Sequence, residues 1–290
     1  MNNTKELLTS MQKIINHLVQ LQELTFARAE QEATMPGAQL TQLDKSIETL
    51  TAELPEEIRG PFMRMLKKSP LAIVPIANKN CSACGMSLPV SLIQSVRMAE
   101  RLHACPNCGR YLYFTTSAPR QLATAPPRRR SEPPKVGIER FSSPDLMIAR
   151  LEATDRDGAI TEICTLMEKQ KFVDSATQLR DAALAREAIV STAVDQGIAF
   201  PHVRGVDGGG LTLALGISEK GIRFGGTSRE LTHIIFFMVI PTAASAFYLK
   251  LLSGLTEAFH KADAREKLLA AETSAELWKA LVKSTKLFVR

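Results

Sequence analysis

The 290-residue chain has no apolar run near the ~18 residues that a membrane span needs; its longest near-continuous stretch runs only from Ile234 to Ile240. Its opening, Met-Asn-Asn-Thr-Lys-Glu, lacks the apolar core and small-residue cleavage site of a signal peptide. Together these absences predict a cytoplasmic protein. Without an export signal, the five cysteines argue for metal or core roles rather than a disulfide framework. No internal repeat relates the two halves. Charge of one sign is also scarce outside one place. Residues 117–140 hold six basic and two acidic side chains, so +4 of the net +6 sits there and the rest is nearly neutral. That argues against nucleic-acid binding by the whole chain. With 45% apolar and 23% charged residues, the composition excludes a wholly disordered or fibrous chain.

What is present divides the chain into four segments. Residues 1–68 read as a helical coiled-coil hairpin. Leu7, Met11, Ile14, Leu18 and Leu21 follow heptad spacing, Met35-Pro36-Gly37 interrupts it, and Leu40, Leu43, Ile47, Leu50 and Leu54 resume it. Two such helices joined by a breaker fold most simply into an antiparallel pair. So short a seam is marginal alone, which predicts a homodimer or packing on a neighbour. Pro55 opens a third helix with Ile58, Phe62, Met65 and Leu66 on one face. Residues 69–116 carry a four-cysteine motif. Residues 117–140, with five prolines and Arg128-Arg129-Arg130, form a linker that cannot bury a core. The arginines suit a solvated spacer, or contact with nucleic acid or acidic lipid.

Residues 141–290 read as a layered α/β domain. Ile160, Ile163, Cys164 and Met167 share a helix face, making Cys164 a buried thiol. Gly197–Phe200 reads as a strand ending at Pro201-His202, and Leu211–Ile217 as another. Leu231–Ile240 suits a buried central strand. A helix bearing Phe247, Leu251, Leu252, Leu255 and Phe259 follows, then two short helices around Leu268 and Leu277–Val282.

Cys81-Ser-Ala-Cys84 and Cys105-Pro-Asn-Cys108 are two C-x2-C pairs separated by 20 residues. Four thiolates at this spacing suit tetrahedral Zn²⁺, and with every ligand place filled one structural zinc is expected. An iron–sulfur cluster or a dithiol switch is the alternative. Gly85 and Gly109 stand where each knuckle turn needs a positive φ. Lys79, Arg97, Arg101 and Arg110 would offset the formal −2 of the site, and His103 is read as a surface residue. The stretch Asn80-Cys-Ser-Ala-Cys-Gly-Met-Ser-Leu-Pro with Cys105-Pro-Asn-Cys-Gly-Arg-Tyr-Leu-Tyr resembles the C4-type zinc ribbon that follows an antiparallel coiled coil in a family of bacterial proteins. The resemblance implies an adaptor fold over about residues 1–116.

His202 is the candidate reactive residue of the second half. A lone histidine is usually structural, but its surroundings are distinctive. Arg186-Glu187-Ala-Ile-Val-Ser191-Thr192 followed by Gly197-Ile-Ala-Phe-Pro-His202 resembles the active-site signature of the fructose/mannitol/nitrogen-regulatory (type 2) enzyme IIA domain of the bacterial phosphoenolpyruvate-dependent phosphotransferase system. Phe236-Phe-Met-Val-Ile-Pro241, Tyr248-Leu-Lys-Leu-Leu-Ser-Gly-Leu and Arg265-Glu-Lys-Leu-Leu agree with it in order and spacing. The resemblance implies that His202 accepts a phosphoryl group from the carrier HPr. It would then pass the group to a IIB partner or keep it as a regulatory mark. A neutral imidazole is a competent nucleophile near pH 7. Ser191, Thr192 and Arg204 are candidate donors to phosphate oxygens, and Arg186 a candidate for setting the site.

One position departs from the family. Its usual second histidine, counted from Pro241, is Tyr248 here, which can donate a hydrogen bond but carries no positive charge. His233 aligns at the start of the buried strand and reads as core-edge, and His260 as surface. The chain also lacks a permease and a IIB phosphocysteine, which points to regulation rather than uptake. Two functions follow: a phosphocarrier with regulatory output, or a non-catalytic adaptor whose IIA-like domain and zinc ribbon bind protein or nucleic acid. A zinc enzyme is disfavoured because the four-cysteine site is closed.

Overall fold

The computed structural model describes residues 2–35, 40–114, 135–206, 209–225 and 230–289. The Pro36-Gly37 breaker and the linker residues up to Pro134, Arg128–Arg130 included, lie outside them. The chain divides into two compact units, one made of Met1–Glu32 and Pro36–Ser117 and the other of Ala118–Arg290 with the short stretch Ala33–Met35.

In the first unit, helices α1 (Asn2–Thr34), α2 (Thr41–Glu53) and α3 (Glu56–Lys68) precede strand β1 (Ile73–Ala77). His17 Nε2 lies 2.7 Å from the Leu50 carbonyl, and Arg28 Nε donates to Asp44 at 2.5 Å. Early α1 thus meets late α2 and later α1 meets early α2, so the pair runs antiparallel. The two helices do not close a seam on each other alone. Ile15, Leu18 and Leu21 are buried together with Leu54, Phe62 of α3, and Ala72 and Ile73, while α2 buries no residue fully. Gln22 fastens α1 to β1. Its side-chain oxygen accepts from the Ala72 and Ile73 amides at 2.7 and 2.9 Å, and its nitrogen donates to the Ile73 carbonyl at 3.0 Å. The ribbon adds β2 (Asn80–Cys81), α4 (Val90–Met98), β3 (His103–Ala104) and β4 (Tyr111–Tyr113). The strands form a sheet in the order β2-β1-β4-β3, with a core of Leu71, Val74, Ile76, Leu88, Val96 and Leu112.

The second unit is a mixed sheet with helices. It contains β5 (Met147–Ile148), α5 (Arg156–Lys169), α6 (Ala176–Glu187), β6 (Ala193–Val194), β7 (Ile198–Ala199), β8 (His202–Val206), β9 (Thr212–Ile222) and β10 (Thr232–Pro241). Helices α7 (Ser245–Phe259), α8 (Ala262–Leu269) and α9 (Ser274–Thr285) complete it. The sheet order is β5-β9-β10-β7-β6, and β8 also pairs with β10. Every residue from Ile234 to Ile240 is buried. Since neighbouring side chains of a strand point to opposite faces, this requires cover on both faces of the sheet, and it explains the unbroken apolar run. Helices α5 and α6 pack on β9 and β8, while α7, α8 and α9 pack on β10, β9 and β5. The strand read over Gly197–Phe200 is β7, and a further strand that the sequence reading did not anticipate, β8, begins at His202. β7 and β8 both run parallel to β10, pairing Ile198 with Ile234 and His202 with Met238. Pro201 lacks an N–H for a ladder, and Phe200–Pro201 forms the break between the two strands. No helix among the described residues is long and apolar enough to cross a membrane.

Candidate functional sites

The cysteine site is built from two matching turns. The Gly85 amide donates to the Cys81 carbonyl at 2.8 Å and the Gly109 amide to the Cys105 carbonyl at 2.9 Å. Both glycines are left-handed, at φ +72° and +75°. The four sulfurs all lie within 4.8 Å of one another, with 3.8 Å between Cys81 and Cys108 and 3.7 Å between Cys84 and Cys105. Zn–S bonds of about 2.3 Å in a tetrahedron put sulfurs about 3.8 Å apart, so the donor set fits zinc. Burial pushes the Cys81 thiol up to about 12. Burial acts on Cys84 in the same sense, but hydrogen bonds led by the Asn107 side chain and the Met86 backbone bring it down to about 6. Arg110 donates to the Leu71 carbonyl and to Ser69 Oγ, and the Arg97 guanidinium lies 5.0 Å from the Phe114 ring centre. His103 sits half-buried on β3, its pKa lowered by burial and by Arg101.

His202 is the first residue of β8 and is 1% exposed. Its Nδ1 lies 3.0 Å from the Phe200 carbonyl and 3.2 Å from the Tyr248 hydroxyl. A carbonyl only accepts, so Nδ1 carries the proton. The other ring nitrogen, Nε2, receives a hydrogen bond from Arg186 Nε at 3.2 Å and so presents its lone pair. The neighbours thus select one tautomer from both sides of the ring. Arg186, in the last turn of α6 and 8% exposed, is held by a second bond from its Nη1 to the Val190 carbonyl at 2.9 Å. Tyr248 reaches the histidine from α7, with ring centres 5.1 Å apart.

Of the residues singled out from sequence, the structure brings His202, Arg186 and Tyr248 into direct contact. It engages Ser191 and Thr192 elsewhere. Ser191 Oγ donates to Glu187 Oε1 at 2.9 Å, and the Thr192 amide and hydroxyl donate to Glu187 Oε1 and Oε2 at 2.8 and 2.7 Å. Arg204 lies on β8 opposite Ile240 of β10, two residues from His202 and so on the same strand face. Sequence reasoning gave no role to Glu187, a carboxylate only 3% exposed. Its signal was Ser and Thr four and five residues downstream of a helix-ending glutamate. His233 is half-buried with Nδ1 3.0 Å from the Ser218 carbonyl, and His260 is exposed. Cys164 is buried in α5, and burial pushes its thiol up to about 12.

A family model described as phosphoenolpyruvate-dependent sugar phosphotransferase system, EIIA 2, matches residues 140–284, half of the chain. A C4-type zinc ribbon model matches residues 80–112. The chain is 32% identical over 118 residues to the PTS system fructose-specific EIIA component of Haloferax volcanii, covering 41% of this chain and 77% of that protein. It is 26% identical over 123 residues to the PTS system fructose-specific EIIABC component of Bacillus subtilis, covering 42% of this chain and spanning only 19% of that relative. Among solved structures, the nitrogen regulatory protein IIA-Ntr of Neisseria meningitidis aligns with TM-score 0.45 and 24% identity, over 49% of this chain and 97% of its own.

Proposed function

The chain belongs to the phosphoenolpyruvate-dependent sugar phosphotransferase system EIIA 2 family, and from that premise we propose that Nε2 of His202 accepts a phosphoryl group from an HPr-like phosphocarrier. The single observation that carries the reading is the fixed tautomer: Nδ1 protonated against the Phe200 carbonyl, Nε2 offering its lone pair. In the reaction that lone pair forms the new N–P bond. The donor's N–P bond breaks, and its electron pair returns to the donor imidazole. No proton needs to leave Nε2. The Arg186 guanidinium, which caps the lone pair at rest, turns to the phosphoryl oxygens as they arrive. A charge-assisted donor already beside the reacting nitrogen is suited to the charge spread over those oxygens. Arg204, on the same strand face, adds a second positive charge nearby. Tyr248 acts at Nδ1, on the side of the ring away from the transferred group, and its part is to hold the ring.

His202 then passes the group to a IIB-type partner or keeps it as a regulatory mark read by a partner of the first unit. In that unit Cys81, Cys84, Cys105 and Cys108 hold one structural Zn²⁺. The metal would supply folding energy and lock the two knuckles. The test is incubation with phosphoenolpyruvate, enzyme I and HPr, followed by intact mass. A gain of one acid-labile phosphate, absent without HPr and absent from His202→Ala, is the expected result. A second reading, a binding module without relay, is favoured by the burial of His202 and by tyrosine at position 248. No gain under conditions that label a fructose EIIA control would select it.

A further inference from the structure

Glu187 occupies an unusual place for a charged group. It ends α6, is 3% exposed, and accepts three hydrogen bonds, all from Ser191 and Thr192. Two paths lead from these bonds to the two ring nitrogens of His202. Along one, Glu187 folds residues 188–192 back over the helix end, which places the Val190 carbonyl. That carbonyl accepts from Arg186 Nη1 at 2.9 Å and so aims Arg186 Nε at His202 Nε2. Along the other, Glu187 holds the Thr192 amide and hydroxyl. The Thr192 carbonyl accepts from the Phe200 amide at 3.1 Å, and the Phe200 carbonyl faces His202 Nδ1 at 3.0 Å.

We propose that Glu187 is a positioning residue that sets the tautomer of His202 by fixing, through one loop, the partners of both ring nitrogens. It touches neither the imidazole nor an incoming phosphoryl group. Its deep burial is tolerable because three donors converge on it. The inference rests on the reading of His202 as acceptor, and its test separates the two.

The measurement is ¹⁵N NMR of the His202 ring in the unphosphorylated full-length chain at pH 8.5, where free imidazole is neutral, run beside the rate of phosphoryl acceptance. The unsubstituted chain should show the Nδ1–H form above nine-tenths. In Glu187→Ala the Nε2–H form should rise above one third and acceptance should fall at least tenfold, with cooperative unfolding retained. Glu187→Gln should restore the tautomer and bring the rate within threefold. Its amide oxygen can still accept from the Thr192 N–H, and its NH₂ can donate to Thr192 Oγ1. If Glu187→Ala does not fold, Thr192→Val removes one of the three bonds, and the same shift, smaller in size, is expected. A folded Glu187→Ala, or in its place Thr192→Val, that keeps the Nδ1–H form overturns the proposal. So does a Gln variant that behaves as Ala, since that would make charge rather than position the operative property. A tautomer shift in a chain that never accepts phosphate upholds the positioning role and removes the relay.

Discussion

Arg186 and Tyr248 face opposite nitrogens of one imidazole, and this makes their substitutions separable. Arg186→Lys keeps the charge but loses the planar fork that binds Nε2 and the Val190 carbonyl together. Its phosphoryl acceptance should fall about tenfold in a rapid-quench assay, and a rate within twofold of the parent would remove Arg186 from the mechanism. Tyr248→Phe removes one hydroxyl near Nδ1 while the Phe200 carbonyl remains. Acceptance should then change by less than about fivefold, read in the same assay. Cys164 gives a residue-scale test of burial. Burial pushes its thiol up to about 12. Only the thiolate is alkylated, so at pH 8 iodoacetamide should label Cys164 about a thousandfold more slowly in the folded chain than after denaturation. Equal rates would contradict its place in the core.

At the scale of elements, α9 carries a pH signature. Thr273 caps it, accepting from the Glu276 amide, while Glu276 accepts from the Glu272 and Thr273 amides, a capping box. Those amides lower the Glu276 pKa. A carboxyl whose folded pKa is depressed stabilises above its unfolded value and loses that contribution as pH falls through the folded one. The melting temperature of Glu276→Gln should therefore lie below that of the parent at pH 7, and the gap should narrow as pH falls below the ordinary carboxylate range. A gap that is constant with pH would contradict the box.

The same scale shows what sequence could and could not convey. The buried strand was legible because β10 is covered on both faces and its residues are apolar almost without interruption. The knuckle glycines were legible because a two-residue spacing between ligands dictates the turn. Tyr248 could be placed beside His202 only through the resemblance to the enzyme IIA family, whose usual second histidine falls at this position counted from Pro241. Strand β8 (His202–Val206) was not legible, since it depends on how that segment pairs with β10. Nor was the role of Gln22, whose partners lie about 50 residues away. Ser191 and Thr192 looked like phosphate donors because hydroxyls near a histidine suit that chemistry. Only the fold places a buried carboxylate within their reach.

At the scale of the whole molecule, the chain consists of two compact units, with the four cysteines in one and His202 in the other. Removal of zinc should therefore act on one of them. With Cys108→Ser, or with a strong chelator, the first unit should lose protection in hydrogen exchange over residues 71–113. The second unit should accept phosphate at an unchanged rate, and a rate lost together with the metal would contradict the independence of the two sites. The role of one atom, Nε2 of His202, is probed by ³¹P and long-range ¹H–¹⁵N NMR of the chain after reaction with phosphoenolpyruvate, enzyme I and HPr. A single phosphoramidate whose phosphorus couples to Nε2 of His202 is expected. Phosphate on Nδ1, on another residue, or on none while a fructose EIIA control is labelled would contradict it.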